Sequence, residues 1–248
     1  MGGMPTFSLL QISLDQMIGR DSFLEAAEGT ETVAKADLVQ YHRDLFGIVV
    51  SRIPHGDAVR IKAALDARGF PVEVVNDDDL PALPTDFQVQ RVDTEGEWLR
   101  FTDSMGRVAS RALADLVFLS AGQVSKLRPK SENILNAAKS WRQSDPETRM
   151  ERVYREETEK EFRIEFFFWT DPQRLKLSLA AAKAIFVNGR SIQLHKPEDL
   201  ATGIAELRAL LPDERVSTGI RLPETVYPSL RAYEEEIRWS FHRIAKNG

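Results

Sequence analysis

The chain contains no cysteine among its 248 residues. Disulfide bonds, thiolate metal sites and cysteine nucleophiles are therefore excluded, and the lack of cysteine fits a reducing compartment. No window approaches the ~20 apolar residues of a membrane-spanning helix. The N-terminus also lacks the basic and apolar regions of a signal peptide. We therefore expect a cytoplasmic protein with no membrane span.

The motifs of the common enzyme classes are absent as well. The sequence contains no Gly-x-Gly-x-x-Gly, Gly-Lys-Ser/Thr, Gly-x-Ser-x-Gly or Ser-x-x-Lys. Its four histidines are far apart, without metal-ligand spacing: His42, His55, His195 and His242. We predict no cofactor, and the absences favour a non-catalytic protein over an enzyme whose catalytic residues are dispersed along the chain.

Positive charge is scarce in one stretch. The net charge is -5, and residues 76–103 hold eight acids against two arginines, a net of -6 (2 − 8). Basic residues follow in the stretch 104–130. Proteins that bind duplex DNA usually carry a larger basic surface, so DNA is not an expected partner.

Residues 1–80 show the pattern of a small α+β module. Strands are predicted at 7–14, 48–53 and 70–75. Helices are predicted at 21–28 with Asp21 as the N-cap, after Thr30 with Leu38, Tyr41 and Leu45 on one face, and at 57–68, where Gly69 is the C′ residue. The element order is β-α-α-β-α-β.

The segment from Ala58 to Val74, AVRIKAALDARGFPVEV, resembles the end of the C-terminal domain of the bacterial ribosomal stalk protein. The element order is also that of the related Clp-protease adaptor fold. The resemblance implies this fold for residues 1–80. The chain lacks the Gly-Leu-Gly segment and the lysine-rich helix surface through which the stalk family meets its factors, so no binding residue is carried over.

A proline-rich linker, Leu80-Pro81-Ala82-Leu83-Pro84, precedes a second predicted domain at 85–212. Strands are predicted at 87–92, 97–102 and 107–109, with turns at Glu95-Gly96 and Met105-Gly106. The run 113–119 is apolar apart from Asp115, so its periodicity does not decide between helix and strand. This order of strands, with an Asp-x-x-Gly-Arg turn and a following Ala-Asp-Leu-Val, is similar to bacterial pleckstrin-homology-like domains. The resemblance implies a mostly antiparallel β domain closed by a helix.

Three helical regions are predicted in the rest of the chain. A helical insertion is expected near 131–150, with a helix over 133–143 and residues 150–155 either strand or helix. The closing helix is expected at 197–211 and ends before Pro212; Leu200, Ile204, Leu207 and Leu211 form its apolar stripe. Residues 213–248 are expected to form a C-terminal helical segment with a long amphipathic helix at 227–245.

The strongest single signal is the hairpin formed by 161–169 and 175–179. Alternation places four apolar side chains on one face of the first strand, where they would form the core of the second domain: Phe162, Ile164, Phe166 and Phe168. On the opposite face of this strand, the first side chains, Arg163 and Glu165, are polar, and the last, Phe167 and Trp169, are aromatic. A strand with a second apolar face needs a second cover, which a helix, another domain or a partner chain could supply.

The sequence therefore offers one candidate interaction surface. Phe167 and Trp169, with Arg163, have the composition of a binding hot spot, although a second core would look the same. Trp141 is a further aromatic candidate. The basic residues Lys126, Arg128 and Lys130 would add an anion-binding rim, with a solvated loop as the alternative.

Two functions follow from these residues. The first is a non-catalytic interaction or adaptor protein of the bacterial cytoplasm, with a protein partner or a second copy of the chain. The second is a hydrolase or transferase in which Asp77, Asp78, Asp79 and Asp103 meet His55 across an interdomain cleft, in one form with a bound divalent metal.

Overall fold

The computed structural model describes residues 4–30, 45–135, 150–169, 171, 173–178, 185–187, 190–193 and 197–247. These residues form an α+β fold, as predicted, with a long helix at the C-terminal end. None of the described helices is long and apolar enough to cross a membrane.

Within the described residues, the first module has three strands and two helices. They are β1 (Phe7–Gln11), α1 (Arg20–Ala26), β2 (Ile48–Ile53), α2 (His55–Asp66) and β3 (Val72–Asn76). The sheet order is β2-β1-β3, with β1 antiparallel to both neighbours. One apolar core, which includes Leu9, Phe23 and Ile61, joins the helices to the sheet.

Several boundaries in this module differ from the prediction. β1 ends at Gln11 because the next residues turn, and the Asp15 amide donates to the Ser13 hydroxyl at 3.0 Å. The predicted N-cap at Asp21 is wrong: Gly19 occupies that position, and Asp21 lies in the first turn of α1, where its charge still suits the helix dipole. The predicted helix after Thr30 lies outside the described residues, except for buried Leu45.

Gly69 ends α2 as predicted. The Gly69 N–H donates to the Asp66 carbonyl at 3.0 Å, and the positive φ of Gly69, 83°, directs the Phe70 N–H back to the Leu65 carbonyl at 3.0 Å. This pair of bonds is the Schellman arrangement, in which glycine avoids the strain of a left-handed residue. α2 begins two residues earlier than predicted because the extended Pro54 serves as its N-cap.

The second part of the chain contains two five-stranded sheets. Their strands in chain order are β4 (Thr85–Val89), β5 (Arg91–Glu95), β6 (Trp98–Thr102), β7 (Val108–Ala112), β8 (Leu116–Leu135), β9 (Met150–Phe168), β10 (Gln173–Ser178), β11 (Ile185–Val187), β12 (Arg190–Ile192) and β13 (Val226–Tyr227). The sheet orders are β13-β8-β9-β10-β4 and β12-β11-β5-β6-β7. Most pairs are antiparallel, and their facing sides share one core that includes Phe101 and Phe166.

The single strand predicted at 87–92 is two strands. It breaks at Gln90, whose N–H donates to the Thr102 carbonyl at 2.7 Å, and β4 and β5 join different sheets. The undecided run 113–119 begins with a 3₁₀ turn at Leu113–Asp115 and continues into β8.

The predicted helical insertion is wrong at its start, and residues 150–155, predicted as either strand or helix, form a strand. Residues 131–135 belong to β8, and Met150 begins β9, because the two strands pair from Leu116 opposite Phe168 to Leu135 opposite Met150, with one shift of register between Leu116 and Phe118. Beyond Val124 and Glu161 no third described strand pairs with them, so they continue as a two-stranded ribbon. Residues 136–149, with Trp141, lie outside the described residues.

Three helices follow: α3 (Pro197–Arg208), α4 (Thr218–Arg221) and α5 (Leu230–Asn247). The closing helix thus ends three residues before the predicted 211, and Ile204 and Leu207 bury its apolar side. The C-terminal segment is less helical than predicted. It includes a 3₁₀ turn at Asp213–Arg215 and the short strand β13, which contains Tyr227.

Candidate functional site

The C-terminal helix covers the second face of the β8–β9–β10 sheet. As predicted, Phe162, Ile164, Phe166 and Phe168 point into the core between the two sheets and are at most 5% exposed. On the opposite face, the Phe167 ring lies 5.0 Å from that of Phe241 on α5, edge to face. Phe167 is therefore only 3% exposed. The chain itself supplies most of the cover that this face requires.

A buried ion network lies beneath the same helix. Arg174 binds three carboxylates: Glu165 at 3.2 Å, Glu234 at 2.9 Å and Asp86. Burial raises the pKa of Glu165 to about 6, although the charges of Arg174, Lys176 and Arg163 oppose the rise. The network fixes β4, β10 and α5 relative to one another.

Arg163, a predicted surface residue, belongs to this buried layer. It is 7% exposed, with its Nε 3.2 Å from Glu161 and its Nη1 3.8 Å from Glu165. Its charge is thus compensated by two carboxylates of its own strand.

A second buried network positions α4. The Tyr227 hydroxyl donates to Glu236 and accepts from the Gly219 N–H at 3.1 Å, while Glu236 also accepts from the Thr218 N–H at 2.7 Å. Burial raises the pKa of both the Tyr227 and the Glu236 side chains. These bonds hold α4, with Arg221 at its end, against α5.

α5 also binds the first module. The Gln11 carbonyl accepts from Trp239 Nε1 at 2.6 Å and from Arg243 Nη2 at 3.0 Å. Glu73 of β3 pairs with Arg243 at 3.2 Å and with Lys246 at 2.6 Å. Burial alone would raise the pKa of Glu73, but the Lys246 bond and the neighbouring positive charges outweigh it, so this pKa is lowered. One helix therefore links both parts of the chain.

Two cavities flank the end of α5, and three residues line both of them: Trp169, Ile244 and Ala245. We call the pair the Trp169 crevice. The smaller cavity, about 230 Å³, is apolar and is lined mainly by Pro81, Pro84, Val117, Phe167, Phe168 and Phe241. The larger cavity, about 710 Å³, is polar on one side and is lined by Ile12, Asp213, Glu214, Arg215, Arg221, Trp239 and Arg243, among others.

Trp169 stands on the rim between the cavities and is 64% exposed. Its backbone is held in place, because its N–H donates to the Asp115 carbonyl at 3.1 Å. The following Asp171 is bound by Arg111, with oxygen–nitrogen distances of 2.6 and 3.0 Å, and accepts from the Gln173 N–H at 3.0 Å. These bonds anchor the backbone of Trp169 and the side chain of Asp171.

The charges of the larger cavity are partly paired. Asp213 is bound by Arg208 at 2.9 and 3.1 Å, and this bond, with the charges of Arg208 and Arg221, lowers the pKa of Asp213. Arg243 is matched by Glu73, and Arg221 donates to the Thr218 hydroxyl at 3.0 Å. Arg215 has no carboxylate within ion-pair distance in the part of the chain that the structure describes.

The structure separates the residues of the predicted surface. Phe167 and Trp169 meet in the smaller cavity, the first as a buried wall and the second as the exposed rim. Lys126 is exposed on β8, 3.9 Å from Glu161. The backbones of Arg128 and Lys130 continue along β8, where they pair with Glu157 and Arg155. Neither Lys126 nor Arg163 lines either cavity.

The acidic residues of the alternative enzyme have local partners. Asp103 accepts from the Met105 and Arg107 amides and from Arg107 Nε, which builds the β6–β7 turn. Asp77 accepts from the Ser8 hydroxyl in the 3₁₀ turn Asp77–Asp79, and the His55 ring packs against Phe7 at 4.8 Å. Within the described ranges, no three histidine or acidic side chains form a group that could hold a metal ion.

Sequence reasoning missed most of the crevice. Ile12 and Arg215 come from turns and Arg221 from the short helix α4, none of which carries a motif, and only folding brings them to α5. Trp239 and Arg243 left a signal: they are four residues apart on the amphipathic tail helix, off its apolar stripe, and the Arg243 guanidinium lies 5.6 Å from the Trp239 ring centre.

No protein-family model, curated protein or solved structure matches this chain. The resemblances to the stalk, Clp-adaptor and pleckstrin-homology-like domains stay predictions.

Proposed function

We propose that this protein is a non-catalytic interaction, or adaptor, protein that docks a partner protein in the Trp169 crevice. The observation that carries the proposal is Trp169 itself: a large aromatic side chain, 64% exposed, on the rim of an apolar cavity. Tryptophan is enriched among residues that dominate binding energy, and such residues usually fill or border pockets.

The surroundings of Trp169 support this role. The Trp169 backbone is anchored to the Asp115 carbonyl, and Asp171 pairs with Arg111, so holding Trp169 in place costs a binding partner little entropy. The cavity walls come from the linker, from β8–β9 and from α5, so their shape is set before any partner arrives. The proposed setting is the bacterial cytoplasm, which the lack of cysteine and the bacterial families that the modules resemble both favour.

The variant Trp169→Ser tests the proposal. About two thirds of the side chain is exposed, so we expect the substitution to lower the free energy of unfolding by about 2 kcal/mol at most. Partner capture from a bacterial lysate by the immobilised full-length chain should be lost. Trp98→Ser is the matched control, because Trp98 is 53% exposed on β6 and lines neither cavity.

Two outcomes contradict the proposal. In the first, every captured protein is retained equally by wild type, Trp169→Ser and Trp98→Ser. In the second, analytical ultracentrifugation of the pure chain shows a dimer that Trp169→Ser converts to a monomer. That result would assign the crevice to a second copy of the chain instead of a different protein.

A further inference from the structure

We infer that the segment docked in the Trp169 crevice is acidic and carries one bulky apolar side chain beside its carboxylates. This inference rests on the proposed function and names the chemistry of the partner. It follows from the difference between the two cavities, one apolar and one lined by arginine.

The smaller cavity suits a single side chain. Its volume of about 230 Å³ is below the range of roughly 300–1,000 Å³ that is typical of whole small-molecule ligands. Its lining includes Phe167 and Phe241, whose rings pack edge to face 5.0 Å apart. A leucine or an aromatic side chain would bury apolar surface there and would pack against the Trp169 indole.

The larger cavity has a surplus of positive charge. Three arginines line it, against Asp213 and Glu214. Glu73 offsets Arg243, and Arg208 offsets Asp213. The charge of Arg221 also acts on Asp213 and on buried Glu236, whereas Arg215 has no carboxylate within ion-pair distance among the described residues. The planar guanidinium group binds carboxylates through paired hydrogen bonds, so these two arginines fit acidic side chains.

The two cavities are close enough to accept one segment, because both are lined by Trp169, Ile244 and Ala245. An extended chain rises about 3.3 Å per residue, so a carboxylate within a few residues of the apolar side chain would reach the arginines. The net charge of the whole chain is -5, which opposes an acidic partner at long range. The preference for an acidic segment must therefore come from direct contacts with the arginines. We expect this preference to weaken as the salt concentration rises.

Fluorescence anisotropy with labelled synthetic peptides tests the inference. Three peptide sets share a central Leu-Phe pair and differ in their flanks, which are Glu/Asp, Gln/Asn or Lys/Arg. We expect the acidic set to bind the full-length chain at least about tenfold more tightly than the amide set, since hydrogen bonds to charged groups contribute about 1.5–3 kcal/mol.

Arg215→Gln and Arg221→Gln should each reduce binding of the acidic set by about tenfold and leave binding of the amide set unchanged. Two arginine variants are used because Arg221 also bonds to Thr218, and melting temperatures identify any variant that is misfolded. Arg100→Gln is the control: Arg100 pairs with Glu95 on β6, lines neither cavity and should leave all binding unchanged.

Equal affinity for the acidic and amide sets, with both lost in Trp169→Ser, would overturn the inference and leave the proposed function standing. Acidic binding that survives Trp169→Ser would place the contact elsewhere and overturn the inference. Absence of binding by all three peptide sets would also contradict the inference. The proposed function is tested separately, by comparing partner capture from lysate between wild type and Trp169→Ser.

Discussion

Replacing Glu165 by glutamine should change how the stability of the protein depends on pH. Glu165 has no solvent exposure, and burial raises its pKa from 4.5 to about 6. Between these two values the folded chain binds more protons than the unfolded chain. The stabilising contribution of Glu165 is therefore present in full below about pH 4.5 and is lost as the pH rises through 6. A shift of roughly 1.5 pKa units corresponds to about 2 kcal/mol.

Glutamine cannot ionise, so Glu165→Gln removes this contribution. The unfolding free energy of the variant, measured relative to wild type, should increase by about 2 kcal/mol between pH 4 and pH 7. Urea unfolding of both proteins at a series of pH values, followed by circular dichroism, gives this difference. Carboxylates with a lowered pKa, such as Glu73, contribute less to the unfolding free energy as the pH falls. Because both proteins contain them, their contributions cancel in the difference between variant and wild type.

A difference in unfolding free energy that is independent of pH would refute the reasoning. A variant that becomes steadily less stable than wild type above pH 6 would refute it as well, because the pairing of Glu165 with Arg174 would then outweigh the cost of burial.

Two further substitutions test the packing around the crevice. Phe167→Ala should lower the unfolding free energy by about 3–5 kcal/mol in urea denaturation, well beyond the effect of Trp169→Ser, and equal effects would contradict the different burial of the two residues. Gly219→Ala should cost about 1–3 kcal/mol or more, because its Cβ would lie 2.2 Å from the Ala121 carbonyl oxygen, which is backbone. Gly56→Ala on α2 is the control, since its Cβ would have no neighbour within 4 Å; a similar fall in melting temperature for both glycine variants would argue against the close contact of α4 with β8.

The sequence predicts those parts of the fold that depend on local periodicity. The alternation of Phe162, Ile164, Phe166 and Phe168 identifies a core strand because side chains in a strand point to opposite faces. Gly69 identifies a helix end because its left-handed conformation suits glycine. Both features are determined by a few consecutive residues.

Features that depend on distant partners were missed or misplaced. Residues 131–135 read as helix, yet pairing with β9 makes them strand. The break at Gln90 depends on a bond to Thr102, which no local pattern reveals. For the site, Trp169 could be singled out as an aromatic residue that needs a cover, but Arg215 and Arg221 are brought to it only by the folding of α4 against α5.

Beyond Val124, no third described strand pairs with the ribbon formed by β8 and β9, so among the described residues the outer backbone edges of both strands are open. Open strand edges are sites at which other chains can add and grow into aggregates. Pro129, which has no N–H to offer, lies within this part of β8, and the sequence of the ribbon is rich in lysine, arginine and glutamate. Both features discourage further strands from adding. The ribbon is therefore protected from polymerisation by its own composition, and replacing its charged residues or Pro129 by apolar ones would make it a point at which fibrils nucleate.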